Sequence, residues 1–166
     1  MSIPTASQSE NIGDNIAAGF VTVLAADPST TLPGYGPRIP TQMPKNRIEV
    51  RSGGFVRAND QMNVTATGVY YYNYRKGVLT VTVVTQRHSQ KQVGPSSQHG
   101  DAIGRVRWLL SRGAQKMVPA TIGGYQVLDI IDMGDSYSTD ATTETESTAI
   151  RFQIDLLIPP ANYLDS

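Results

Sequence analysis

His88 and His99 are the chain's two histidines, and they sit at the two edges of the polar segment TVVTQRHSQKQVGPSSQHGDAIGRV, residues 82–106. Imidazole titrates near neutral pH and ligates metals, so such a pair raises the question of proton transfer or a metal site. A zinc site asks for a third and usually a fourth ligand at recognisable spacing; the surrounding sequence offers Asp101 and no H-x-x-x-H pair. With no cysteine there is no thiol nucleophile, disulfide or cysteine-based cluster. Asp129, Asp132 and Asp135 form a second conceivable cluster, but the first two are three apart in a predicted strand and therefore fall on opposite faces. There is no G-x-S-x-G elbow, Walker loop or G-x-G-x-x-G after a strand. Gly34-Tyr35-Gly36 and Gly123-Gly124 have no adjoining helix start to cradle a phosphate. The expectation is a protein that is not an enzyme, with no catalytic residue, metal or cofactor, in which both histidines are polar residues at a loop and a helix start.

Charge limits the partners. Fourteen basic residues balance fourteen acidic ones, so nothing draws the whole chain to phosphate backbones or anionic lipid. Most Lys and Arg lie between Lys45 and Lys116, and much of the Asp and Glu between Asp129 and Asp155. Such polarity suits copies that meet through basic and acidic faces, and equally suits two ordinary solvated faces. A nucleic-acid module is the alternative from another class, with Arg105, Arg107, Arg112 and Lys116 around one helix and Tyr70, Tyr72 and Tyr74 as stacking surfaces. Neutral net charge weighs against it. Arginine with tryptophan on an outward helix face is the composition of a protein contact, so Arg105, Trp108, Arg112, Tyr70, Tyr72 and Tyr74 are the candidate interface residues.

These residues need elements to place them. At 166 residues the chain reads as a single domain, 1–166. Its beginning, MSIPTASQSENIGDN, has no basic leader region, and no apolar run approaches the ~18 residues of a membrane span, so a soluble, unprocessed protein is expected. Ser7 and Glu10 have capping-box spacing ahead of Ile12, Ile16, Phe20, Val23 and Leu24, which predicts a first helix stopped at Asp27-Pro28. Residues 29–46 are a proline-rich connector without regular structure. Arg47–Arg51 is a strand ended by Ser52-Gly53-Gly54; 68–74 and 78–85 are strands joined by a turn at Arg75-Lys76-Gly77. A second helix runs from Gln98 to Arg112, capped at Ser96-Ser97, with Ala102, Ile103, Val106, Leu109 and Leu110 inward and Trp108 outward beside Arg105 and Arg112. Strands at 125–133 and 148–158 flank an acidic projecting loop, 134–147. The order α-β-β-β-α-β-β predicts an α+β domain, a mainly antiparallel sheet flanked by two helices.

Three segments carry a family resemblance: RIPTQMPKNRIEVR (38–51), YNYRKGVLTVTVVTQRH (72–88) and HGDAIGRVRWLLS (99–111). Together they resemble the tail terminator, or tail-completion, proteins of long-tailed bacteriophages. The closing PPANYLDS (159–166) is similar to that family's ending, although a tryptophan is commoner where Tyr163 stands. The resemblance covers most of residues 9–163 and rests on pattern, without a catalytic signature. It implies a structural protein of the virion neck, assembled in the host cytoplasm. Its copies would form a ring, a hexamer in this family, that caps the head-proximal end of the tail tube and receives the head-tail connector. DNA would pass through the lumen without sequence-specific contact, and no membrane is involved. A head-completion (stopper) protein, or another neck or tube-associated subunit, is the nearest alternative; a His-dependent metalloenzyme is the most remote.

Overall fold

The computed structural model describes residues 12–28, 31–65, 68–87, 94–112, 121–122 and 124–158, with the backbone alone at 57–65, 68–74, 111–112, 121 and 157–158. Helix α1 (Ile12–Ala26) buries Ile12, Ile16, Phe20 and Leu24, a spacing of four that keeps them on one stripe. Val23 packs at the margin of that stripe. The capping box at Ser7 and Glu10 lies outside the described residues.

The connector contains one short element that was not expected. Strand β1 (Gly34–Tyr35) pairs in parallel with Ile48 and Glu49 of β2 (Arg47–Thr65). Strand β2 does not stop at Ser52-Gly53-Gly54, because a bulge between Ser52 and Phe55 absorbs an extra residue and the ladder continues, with a second irregularity between Arg57 and Asp60.

Strand β3 (Gly68–Gln86) corrects the predicted hairpin. Arg75, Lys76 and Gly77 are not a turn; they sit mid-strand, facing Arg57, Val56 and Phe55 on one side and Leu156, Asp155 and Ile154 on the other. The physical reason is Phe55. A Cβ on Gly77 would stand 2.6 Å from the Phe55 ring, so the glycine lets an aromatic ring lie against its backbone across the ladder. The hairpin instead joins β2 to β3.

Helix α2 (Ser97–Arg107) begins at the expected cap, where the Ser96 hydroxyl accepts from the His99 amide. It passes into a π-helical turn, Trp108–Arg112, where a continuous α-helix was expected. Val106, Leu109 and Leu110 are buried, with Ala102 and Ile103 packed beside them, as the helical stripe requires. The predicted terminator Gly113 lies outside the described residues.

Strands β4 (Thr121–Ile122), β5 (Tyr125–Asp140) and β6 (Thr145–Ile158) complete the chain. The acidic projecting loop 134–147 is a correction. Residues 134–140 are the second half of β5 and 145–147 the start of β6, with a turn at 141–144 between them. A strand exposed to water needs no apolar alternation, and the Ser and Thr residues here form a ladder without it: Ser136, Tyr137, Ser138 and Thr139 face Ala149, Thr148, Ser147 and Glu146.

The six strands form one sheet in the order β1-β2-β3-β6-β5-β4, antiparallel except at β1. The fold is α+β, two helices on a mainly antiparallel sheet. Both helices share a single core cluster with Ile48, Val50, Leu79, Val81, Val83, Ile150, Phe152 and Ile154, so they cover the same sheet face. The opposite face presents Arg51, Thr80, Thr82, Arg151 and Gln153, at least partly open to solvent. Among the described residues no helix is long and apolar enough to cross a membrane.

Candidate functional site

Placed at the start of α2, His99 points into the sheet and is fully sealed from solvent. Its Nδ1 lies 2.7 Å from the Thr85 hydroxyl on β3, and its Nε2 lies 2.7 Å from the Thr148 hydroxyl on β6. The Thr85 hydroxyl donates in turn to Oε1 of Glu146, at 3.1 Å. Glu146 is equally buried and also accepts from the Ser96 hydroxyl at 2.5 Å, the Ser96 amide and the Tyr137 hydroxyl at 3.0 Å. The ring of Tyr137 closes the cluster edge-on against His99, with centroids 5.9 Å apart. Because Thr85 gives its proton to Glu146, we assign the Nδ1–H tautomer to His99, with Nε2 accepting from Thr148; every polar group then has a partner.

The electrostatics agree. Burial lowers the His99 pKa below its usual value, against the raising pull of Glu146. For Glu146, burial raises, but the hydrogen bonds from Ser96 and Tyr137 and the nearby His99 outweigh it, leaving a carboxylate below the usual range. A neutral imidazole with both nitrogens occupied by threonines, and no access for a substrate, holds elements together. It ties the cap of α2 to β3, β5 and β6. His88 lies outside the described residues.

The aspartates resolve differently from a metal cluster. Asp129 pairs with Asp155 and Asp132 with Phe152, which puts the first two on opposite faces as expected. A bulge between Asp132 and Asp135 then inserts one residue at Gly134, whose φ is 100°, and returns Asp135 to the Asp132 face. Both carboxylates reach Arg107 of α2, at 2.8 and 2.5 Å. The Gly134 amide donates to Asp132 at 2.8 Å. Among the described residues no three His, Asp or Glu converge as a metal site.

Of the candidate interface residues, Arg105 and Trp108 are described in full. Arg105 is bound through two nitrogens to Asp27 at the end of α1, and its guanidinium lies 4.4 Å from the centre of the Trp108 ring. Trp108 is on the Arg105 side of the helix but is half-buried and packs against the core, so it is a less outward residue than the helical wheel indicated. The backbone of Tyr70, Tyr72 and Tyr74 runs in β3, with Tyr70 and Tyr72 paired to Asn63 and Gln61; their side chains, and that of Arg112, lie outside the described residues. A groove of about 490 Å³ between the connector and α2 is lined by Thr31, Leu32, Gln98, Asp101 and Arg105 among others.

The sequence missed Glu146 and the burial of His99. The signal was present: extending the alternation of Ile150, Phe152 and Ile154 backward puts Thr148 and Glu146 on the core face.

No family model matches the chain, and no curated protein matches it. Among solved structures, it is similar to a chain of the virion of a native gene transfer agent particle, with a TM-score of 0.55 and 11% identity, over 86% of this chain and 95% of that one. At that identity the likeness is one of fold: the architecture described above is shared, nearly end to end, with a virion chain.

Proposed function

We propose that this chain is a structural virion protein of the tail-terminator kind. Its copies form a ring, in this reading a hexamer, that caps the head-proximal end of the tail tube and presents a surface to the head-tail connector, with DNA passing through the lumen. The observation that carries the reading is the shared fold, which covers 95% of a virion chain. The motif segments add to it: 38–51 leads into β2, 72–86 runs along β3, and 99–111 falls in α2 and its π-helical turn, so the resemblance falls on two adjacent strands and the helix pinned to the sheet. The mechanism is assembly. It needs a rigid subunit with differing faces, because a heterologous contact that closes makes a ring, and it needs no chemical step.

The test adds the purified chain to polymerising tail-tube protein and measures tube lengths by electron microscopy, with the mass of the chain measured alone and with tubes. Capping predicts shorter tubes with extra density at one end and a ring-sized mass. A chain that stays monomeric and leaves tube length unchanged defeats the reading. Unchanged tubes, with binding to purified head-tail connector in a parallel mixture, would instead favour the stopper alternative.

A further inference from the structure

The sheet is left open on both sides. Strand β1 covers β2 only at Ile48 and Glu49, and β4 covers β5 only at Tyr125 and Gln126. Among the described residues, no strand pairs with the outer edge of β2 from Val50 onward or of β5 from Val127 onward. Long uncovered edges are templates for pairing with another chain. The exposed large apolar side chains of the described residues all lie on these two strands: Val56 on β2, and Leu128, Ile131, Met133 and Tyr137 on β5. Val56 is 64% and Ile131 43% exposed, far beyond what an edge strand in water gains from.

We propose that the partner of these edges is a second copy of this chain, and that β5 of one copy pairs with β2 of the next, so that the sheet continues from subunit to subunit. The inference rests on the ring of the proposed function and names the surfaces that close it. Three observations select this pairing. First, β5 carries Asp129 and Asp140, besides Asp132 and Asp135 that Arg107 already holds, and no basic residue, whereas β2 carries Arg47, Arg51 and Arg57 against Glu49 and Asp60. A β5–β5 contact would set aspartates against aspartates, which disfavours a two-fold dimer through that edge. Second, β2 and β5 run in opposite directions, since each of the three intervening pairings is antiparallel. Copies related by rotation about an axis along the strands therefore meet antiparallel, the sense used throughout the sheet. Third, Val56 faces Lys76 and Ile131 faces Gln153, each one residue along from the helix-side positions Gly77 and Phe152. Both apolar residues thus lie on the face away from the helices. Edge-to-edge pairing places same-face neighbours roughly 5 Å apart, close enough for them to cover one another.

The absence of cysteine makes this directly testable. The full-length single variants Val56→Cys and Ile131→Cys are mixed and mildly oxidised, and the linked peptides are identified by mass spectrometry. Within one chain these positions are separated by β3 and β6, about 14 Å across the sheet and beyond disulfide reach, so a 56–131 link reports two copies. The expected result is at least tenfold more 56–131 link than 56–56 or 131–131, and a ladder of oligomers from the double variant. Predominant 131–131 links, or no links while the wild-type mass is that of a ring, overturn the edge pairing and leave the ring standing; the latter is also the result if a terminal segment of the chain's own covers β5. A ladder of 56–131 links with no closed mass supports the edge pairing and removes the ring. Monomeric wild-type chain with no links defeats both.

Discussion

The imidazole of His99 and the carboxylate of Glu146 lie 3.9 Å apart, neither with any exposed surface, and the Thr85 hydroxyl is within hydrogen-bond reach of both. A charged imidazole there would gain from Glu146 but would lose its hydration and the proton offered by Thr148. Burial prevails and lowers the His99 pKa from its usual 6.5. Such a histidine is protonated more readily unfolded than folded, so its stabilising contribution is complete above 6.5 and is lost as pH falls from there toward the folded value. Glu146, below its usual 4.5, contributes fully above 4.5 and loses that contribution as pH falls through its folded value. Acid should therefore weaken the fold in two stages. Urea midpoints measured from about pH 8 to about pH 2.5 should fall in both, and His99→Gln should remove the upper stage. A wild-type midpoint that is flat between neutral and mildly acidic pH would contradict the assignment.

Glu146→Gln tests the same cluster without altering its volume. An amide turned toward the Ser96 and Tyr137 hydroxyls cannot accept from all the donors now satisfied, and a buried donor left unmatched costs about 1–3 kcal/mol. Equilibrium unfolding should show a loss in that range. Amide exchange should show faster opening at the first turn of α2, which Ser96 and Glu146 hold.

At Gly77 the expectation is steric. Gly77→Ala drives a Cβ into the Phe55 ring, now 2.6 Å from that position, and should cost about 1–3 kcal/mol by overpacking. Phe55→Leu should recover part of the loss in the double variant. Independent, additive effects would mean that the ring does not occupy the space over the glycine.

Gly77 also shows where the sequence was misleading. Arg75-Lys76-Gly77 between two apolar runs has the composition of a turn, and a glycine needed for close approach looks the same in sequence as one needed for a bend. Strongly periodic stretches were legible: the α1 stripe, the inward face of α2, and the alternation from Ile150 to Leu156, because burial of one face imposes a period. Polar β5 beyond Ile131 was not, since an exposed strand is under no such demand, and among the described residues its ladder is with β6. The His99 cluster draws on Thr85, Ser96, Tyr137, Glu146 and Thr148, distant in sequence and individually unremarkable residues. Their common burial exists only once β3, β5 and β6 are adjacent.

Gly134 allows one residue of slack in β5. Its φ of 100° is a conformation that side chains resist, and Gly134→Val should cost about 1–2 kcal/mol. If strain straightens the bulge, Asp135 turns to the other face and Arg107 loses that contact while keeping the one to Asp132. Asp135→Asn in the Gly134→Val background should then add little, although it lowers stability in the wild type. Equal effects in both backgrounds would show that the bulge does not aim Asp135.

Trp108 distinguishes a folding role from an assembly role. The helical wheel predicts that Trp108→Ala weakens the ring more than the monomer. The half-buried ring, packed on the core and stacked under an Arg105 that is itself fixed to Asp27, predicts a cost to the monomer as well. Full burial of a tryptophan is worth roughly 3–5 kcal/mol on truncation, and half of that, about 2 kcal/mol, is expected in urea unfolding of the variant. Solution mass measured at a temperature where the variant remains folded separates the two effects. An unchanged unfolding midpoint with a lost ring would return Trp108 to the interface; a destabilised chain that still assembles would place its role in anchoring the π-helical turn to the sheet.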